Sequence, residues 1–377
     1  MAHADRLDFE VTIESLGARA LSVPLIEPFV IATGRVDATR AAEVEARIVA
    51  SASRAFGLGE AACLPPVTRE DQPDVLRELA LAAERLVGAR LPAALPALEA
   101  TLRDAVPHSP VARVAIETAL LDAIAKIAHV PLRTLLGGDL GARTDRLETD
   151  VTVAIAAPSR MGELARQWAA RGFTALKVKV GKDVDTDARA LEAIAAAAPG
   201  ARLRIDANAG YTAREALALA DACARLEVLV ECWEQPCAAL DFDGMRQVAD
   251  ALDAPVVADE SVKGEDDLRE LLRLRYADGV NLKLAKVGSL LGAYRMGVDA
   301  RAGGLVLMVG GMVETRLGMT AAAHLACALG GVEFVDLDTA LLLAEDPYEG
   351  GYSADGPRYA VSGAAGLGVR RATRDRC

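Results

Sequence analysis

A charged residue closes one apolar run after another at a nearly constant interval. Lys179 to Asp206 is 27 residues, Asp206 to Glu234 is 28, Glu234 to Asp259 is 25 and Asp259 to Lys286 is 27. The stretches between, such as SRMGELARQWAARG (159–172) and REALALADACARL (214–226), carry apolar residues at helical spacing. Runs that read as strands lie at 149–155, 174–180, 202–207, 229–234, 255–259, 279–284, 305–309 and 333–337. Eight βα units at this period predict an α/β fold, a (β/α)8-type barrel. A doubly wound open sheet would need a Gly-rich phosphate turn after an early strand, and VGKDVD is no GxGxxG.

The chain ahead of this repeat reads differently. Residues 9–62 alternate and carry β-branched residues and glycines, with a long aperiodic loop expected at PLIEPFVIATGRVDATRA (24–41). Residues 71–136 read as helices, VARVAIETALLDAIAKIA (111–128) most clearly. The expected organisation is an N-terminal α+β capping domain over 1–135, a barrel over 136–345, and a segment over 346–377 that packs back on the cap. A net charge of −12 with no basic stripe argues against nucleic acid. The start, MAHADRLDFEV, has no apolar signal core, and no run reaches the roughly 18 apolar residues of a membrane span. These features point to a cytoplasmic protein without membrane partners. The six cysteines (63, 223, 232, 237, 327 and 377) form no CxxC pair and no zinc spacing, so they read as buried reduced thiols.

Barrel active sites are built at the C-terminal ends of the strands. Here those ends read KVK (Lys177, Lys179), RIDAN (Asp206, Asn208), WEQP (Glu234), VADES (Asp259, Glu260), NLKLAK (Lys283, Lys286) and VDLD (Asp336, Asp338). One such residue could fray into solvent. Six sets at one level must compensate one another or bind an ion, because an unpaired interior charge is expensive. Asp206, Glu234 and Asp259 come from three adjacent strands with no His or Cys beside them, an oxygen donor set that suits Mg2+ better than zinc. Lys177 and Lys179 share a strand face. The second and sixth strands face each other across an eight-strand ring, so an amine from each side can flank one carbon. An amine beside a divalent cation and a second lysine loses basicity. Asp336 and Asp338 share one face of the last strand.

These residues resemble the enolase superfamily along almost the full chain. The KxK, the three carboxylates and Lys286 are similar to its muconate-lactonizing subgroup. The mandelate-racemase type needs a His near the seventh strand, where LVLMVGGMVE has none; His324, in the following helix, reads as a core residue. Within the subgroup, DVTVAI, DANAGY, VADES, LKLAKVG, VGGMVETRLG and FVDLDTALLL resemble the dipeptide epimerases. That resemblance implies a Mg2+-dependent isomerase that inverts the α-carbon of the C-terminal residue of a small dipeptide by 1,1-proton transfer through an ene-diolate. Lys179 and Lys286 would exchange the proton on opposite faces. Asp206, Glu234 and Asp259 would hold the metal. Lys177 would sit on the metal side, helping to bind the substrate carboxylate or to depress the basicity of Lys179. Asp336 and Asp338 would hold the free ammonium, and Thr152 the substrate backbone. Asn208, Glu260 and Lys283 would support the ligands from behind. Members are often homo-oligomers. A muconate cycloisomerase, an o-succinylbenzoate synthase or an N-acylamino acid racemase would keep the scaffold and change the chemistry; a barrel that only binds ligands sits badly with opposed lysines.

Specificity is expected in loops 26–40 and 61–70, whose centres (Phe29, Val30, Ile31, Ala32, Leu64, Pro65, Pro66 and Val67) are apolar. Ala-Glu epimerases place an arginine in the first of these loops. This chain has Thr33-Gly34 at the aligned place, with Arg35 and Arg40 out of register. An L-Ala-type first residue and a hydrophobic or uncharged second one are therefore expected.

Overall fold

A computed structural model of the protein describes Leu7 and residues 9–137 and 144–373. The expected domain boundary at 135/136 falls inside a short helix over Leu132–Gly137; residues 138–143 lie outside the described residues, as does Cys377. The first part holds strands β1 (Glu10–Leu21), β2 (Pro24–Ile31), β3 (Gly34–Ala38), β4 (Arg40–Ala50), β5 (Ser53–Cys63) and β6 (Arg90–Pro92). Its helices are α1 (Gln72–Leu86), α2 (Leu95–Ala105), α3 (Pro110–Ile127) and α4 (Leu132–Gly137). An antiparallel sheet of order β5-β4-β1-β6 carries α3 on one face. Small and apolar residues make up most of that helix, and nearly every residue from Val111 to Ala125 is buried, as befits a helix enclosed on all sides. It lies so close to β5 that a Cβ on Gly57 would stand 2.0 Å from the Ala119 carbonyl oxygen. Glycine there lets helix and sheet backbones meet.

The aperiodic loop expected over 24–41 is instead a hairpin. Strands β2 and β3 pair Phe29 with Val36 and Ile31 with Gly34 across an Ala32-Thr33 turn. Leu25, Phe29 and Ile31 are buried on one face of it. Pro24 and Pro28 hid this alternation, but a two-stranded ribbon with a free edge tolerates proline. The second expected loop, 61–70, begins inside β5, which runs to Cys63.

After a short β7 (Arg146–Glu148) come the eight parallel strands β8 (Val151–Val153), β9 (Ala175–Lys179), β10 (Arg202–Asp206), β11 (Leu229–Glu234), β12 (Val256–Ala258), β13 (Gly279–Lys283), β14 (Val306–Gly310) and β15 (Phe334–Asp336). Each pairs with its neighbour in sequence order. The ring is closed between β8 and β15 by single bonds: Asp150 N–H donates to the Val335 carbonyl at 3.1 Å and Leu337 N–H to Thr149 Oγ1 at 2.8 Å. The helices between strands are α5 (Pro158–Ala170), α6 (Val184–Ala197), α7 (Ala213–Arg225), α8 (Phe242–Ala251), α9 (Glu265–Leu274), α10 (Leu284–Val287), α11 (Leu290–Ala302) and α12 (Arg316–Leu329). Side-chain caps fix several starts; Thr212 and Glu215 form a reciprocal box on α7, and Asp183 caps α6.

The eighth unit departs from the expected pattern. After β15 the chain makes a 3-10 turn (Thr339–Leu342) in place of an outer helix. It then forms β16 (Tyr348–Gly350), β17 (Tyr352–Asp355), β18 (Arg358–Val361) and β19 (Val369–Arg371), and β18 pairs with β7. This tail meets the first domain: Tyr348 O–H donates to Glu43 of β4, and Arg371 pairs with Glu43 at 2.6 Å. Five cysteines are free and buried. Among the described residues no helix is long and apolar enough to cross a membrane.

Candidate active site

Strand alternation turns Thr152, Lys177, Lys179, Arg204, Asp206, Glu234, Asn281, Lys283 and Asp336 into the barrel. Neighbouring strands bring Lys179, Asp206 and Glu234 into direct register, while Lys283, Gly310 and Asp336 form a second row. Below this level the interior is partly apolar, with Cys232, Val257, Met308 and Phe334 in contact. Arg204 lies over the Phe334 ring and donates to Asp150 at 2.8 Å and Glu231 at 2.9 Å.

The charges form a chain of alternating sign. Lys179 Nζ donates to Asp206 at 2.5 Å. Lys177 Nζ lies 3.1 Å from Asp206, 2.7 Å from Glu234 and 2.7 Å from Asp336. Lys283 lies 3.6 Å from Glu234 and 2.7 Å from Asp259. Lys286 pairs with the Asp259 carboxylate and donates to the Asp259 and Asn281 carbonyls at 2.7 and 3.0 Å. Lys179 and Lys286 are thus the two ends of the chain, with the three carboxylates between them. All these side chains are buried.

The protonation preferences follow from that order. Burial alone would lower the amine of Lys177, but Asp336, Glu234 and Asp206 outweigh it and hold it well above the usual range. Lys283 is raised likewise by Asp259 and Glu234 against its burial. Lys286 ends below its ordinary value: burial lowers it, Asp259 resists and Lys283 adds repulsion. Asp206 and Asp259 are held low against burial by their lysines, whereas burial and Asp206 raise Glu234. The Asp338 carboxyl is pushed up to about 7 by burial and by Asp336. Glu260 is pushed up to about 8 by burial, Asp259 and Asp206.

Asp338 accepts the Thr152 backbone N–H at 2.5 Å on one oxygen, and its other oxygen, Oδ1, is buried with no partner. Asn208 donates to Glu260 at 3.2 Å, while Asn208 Oδ1, Glu260 Oε2 and Asn281 Oδ1 also lack partners. A divalent cation fits this surplus of buried oxygen donors. As they stand, ammonium groups separate the carboxylates, and among the described residues no three acidic, His or Cys side chains gather about one point. Lysine ammoniums therefore neutralise the arc where a cation would sit.

Phe29, Ile31, Leu64, Val67, Met312 and Val313 cover the site, leaving about 30 Å3 above Thr152, Lys177, Lys179 and Asp336. A larger cleft of about 1010 Å3 runs between the two domains and reaches Glu260 and Lys286 from the other side. Neither arginine of the first loop turns inward. Arg35 is exposed and pairs with Asp37 at 2.8 Å; Arg40 grips Asp71 at 2.6 Å. His324 is buried in α12, as read from the sequence.

Three residues that hydrogen-bond within or beneath the site were not anticipated. Asn281 donates to Glu234 at 2.8 Å, and Arg204 anchors Asp150 beneath Asp336. Both lie an even number of residues before a residue that was singled out (Lys283, Asp206), so strand parity alone placed them inside. Gln235 accepts the backbone N–H of Asp259 at 2.8 Å and of Ser261 at 3.1 Å, and no pattern in the sequence marked it.

A capped, eight-stranded parallel barrel with interleaved lysines and carboxylates at its strand ends is the frame of a barrel enzyme equipped to take up and give back protons. Residues 16–137 match the mandelate racemase/muconate lactonizing enzyme N-terminal domain, and residues 160–374 the enolase C-terminal domain-like family. The chain belongs to the mandelate racemase/muconate lactonizing branch of the enolase superfamily. It is 38% identical to the L-Ala-D/L-amino acid epimerase of Populus trichocarpa, over 95% of this chain and 84% of that one. The substrate-liganded L-Ala-D/L-Glu epimerase of Bacillus subtilis superposes with a TM-score of 0.89 at 33% identity, over 96% and 100% of the two chains. The dipeptide epimerase of Enterococcus faecalis V583, complexed with Mg and L-Leu-L-Tyr, superposes with a TM-score of 0.86 at 30% identity, over 95% and 99%.

Proposed function

We propose that this protein is a dipeptide epimerase that inverts the α-carbon of the C-terminal residue. The observation that carries the dipeptide reading is the buried, unpartnered Asp338 Oδ1 beside Asp336. A free ammonium supplies the missing donor and draws that carboxyl back to its charged form; an N-acylated amine cannot.

The substrate carboxylate lies toward Asp206, Glu234 and Asp259, with Lys177 beside it. Mg2+ held by those three residues would supply the positive charge that stabilises electron density passing into the substrate carboxylate. Lys179 and Lys286 stand at opposite ends of the arc, on opposite faces of the α-carbon. One neutral lysine takes the α-proton, and the C–H electron pair moves into the carboxylate. The opposite lysine, as ammonium, gives a proton to the other face and inverts the centre. Asn281 and Gln235 hold Glu234 and Asp259 in place. Phe29, Ile31, Leu64 and Val67 exclude water, and the 30 Å3 beneath them requires the cap to move outward when a dipeptide enters.

The test is L-Ala-L-Leu against N-acetyl-L-Ala-L-Leu, each with Mg2+ or with EDTA, followed by chiral chromatography. Epimerisation of the free dipeptide alone, abolished by EDTA and restored by Mg2+, is the expected result. Equal turnover of the acetylated peptide, or full activity of metal-free enzyme, would contradict the reading.

A further inference from the structure

We infer that Arg113 and Glu117, on helix α3 of the first domain, are positioning residues for Lys286. The inference rests on the two-lysine reading above. Lys286 sits on the one-turn helix α10, within the stretch from Leu284 to Leu290 that joins β13 to α11. A helix of one turn cannot hold its own geometry, so something outside must fix it.

Helix α3 supplies that hold at consecutive turns. Arg113 Nε donates to the Gly288 carbonyl at 2.9 Å, and its Nη1 is anchored on the Val106 carbonyl at 3.0 Å. One turn on, the buried Glu117 carboxylate accepts the backbone N–H of Leu290, capping α11 from another domain. Ser289 Oγ stands 3.0 Å from an oxygen of Glu117 and 3.0 Å from one of Glu99. Gly288 ends α10 in the left-handed region at φ 72°, and a Cβ there would meet Pro110 at 2.5 Å. The segment is thus pressed onto α3 two residues after Lys286, with no room to drift. Lys179, at the other end of the charge chain, closes strand β9, which is held on either side by β8 and β10. Loosening the α3 contacts should therefore disturb one face of the substrate only.

The experiment measures α-proton exchange in D2O from L-Ala-L-Leu and L-Ala-D-Leu separately. Lys286→Ala first shows which isomer depends on Lys286. Arg113→Leu and Glu117→Ala are expected to slow exchange from that isomer tenfold or more and to leave exchange from the other within about twofold. Arg113→Lys and Glu117→Gln, which keep a donor and an acceptor, should recover most of the loss. Equal loss from both isomers, or no selective loss in either variant, would overturn the inference. If Lys286→Ala itself shows no isomer selectivity, the two-lysine reading fails and takes this inference with it.

Discussion

At the scale of single residues, the proposed choice of a free ammonium rests on Asp338. One of its oxygens is bonded to the Thr152 backbone and the other is buried with no partner, beside Asp336. Asp338→Asn keeps the size and the Thr152 contact but removes the charge. A charge-assisted bond to an ammonium is worth about 1.5–3 kcal/mol, so kcat/KM for L-Ala-L-Leu should fall roughly ten- to a hundredfold, mostly through KM. Steady-state kinetics on the variant check this; unchanged kcat/KM would remove Asp338 from the binding site. The lysines, carboxylates and the DxD of the site were legible because a charge in an apolar strand is conspicuous. Asn281 and Gln235 were not, since amides at such places draw no attention until their hydrogen bonds are seen.

At the scale of elements, the β2–β3 hairpin decides what side chain lies over the site. Phe29 and Ile31 face inward, and the Lys179 ammonium is 5.8 Å from the Phe29 ring centre. Arg35 and Arg40 are engaged with Asp37 and Asp71 outside. An acidic substrate side chain would have to be buried without a partner, which costs more than an apolar one gains. The expected outcome is a kcat/KM for L-Ala-L-Leu or L-Ala-L-Phe at least tenfold above that for L-Ala-L-Glu, unaltered by Arg35→Ala. A preference for the Glu peptide that Arg35→Ala abolishes would refute this. The apolar character of this element was readable from its sequence. Its hairpin form was not, because two prolines and an Ala-Thr turn obscure an alternation that only packing over the barrel makes meaningful.

The whole molecule is held by buried polar groups that bridge its parts. The barrel repeat could be read strand by strand from local pattern. The return of the C-terminal strands to the first domain could not, since pairing between Arg371 and Glu43 spans 328 positions and leaves no periodic trace. His324 is such a bridge. Its Nδ1 accepts the Arg133 N–H at 3.0 Å from α4, and its Nε2 donates to the Leu367 carbonyl at 3.3 Å in the tail. Burial pushes its pKa down to about 3 from the ordinary 6.5. The unfolded chain therefore binds a proton that the native one refuses as pH falls below 6.5, and stability is lost downward through that window. Between pH 7 and 5 this amounts to about 2 kcal/mol. Urea titrations should show wild type losing that much more stability over the interval than His324→Gln does; equal losses would mean His324 is protonated in the native state.

The central claim is that Lys179 and Lys286 serve opposite faces of one α-carbon. Deuterium uptake from D2O into L-Ala-L-Leu and L-Ala-D-Leu, measured by mass spectrometry with the Lys179→Ala and Lys286→Ala variants, tests it most directly. Each variant should exchange one isomer only, a different one in each case, and neither should interconvert the two. Interconversion at the wild-type rate by either variant, or loss of the same isomer in both, would contradict it.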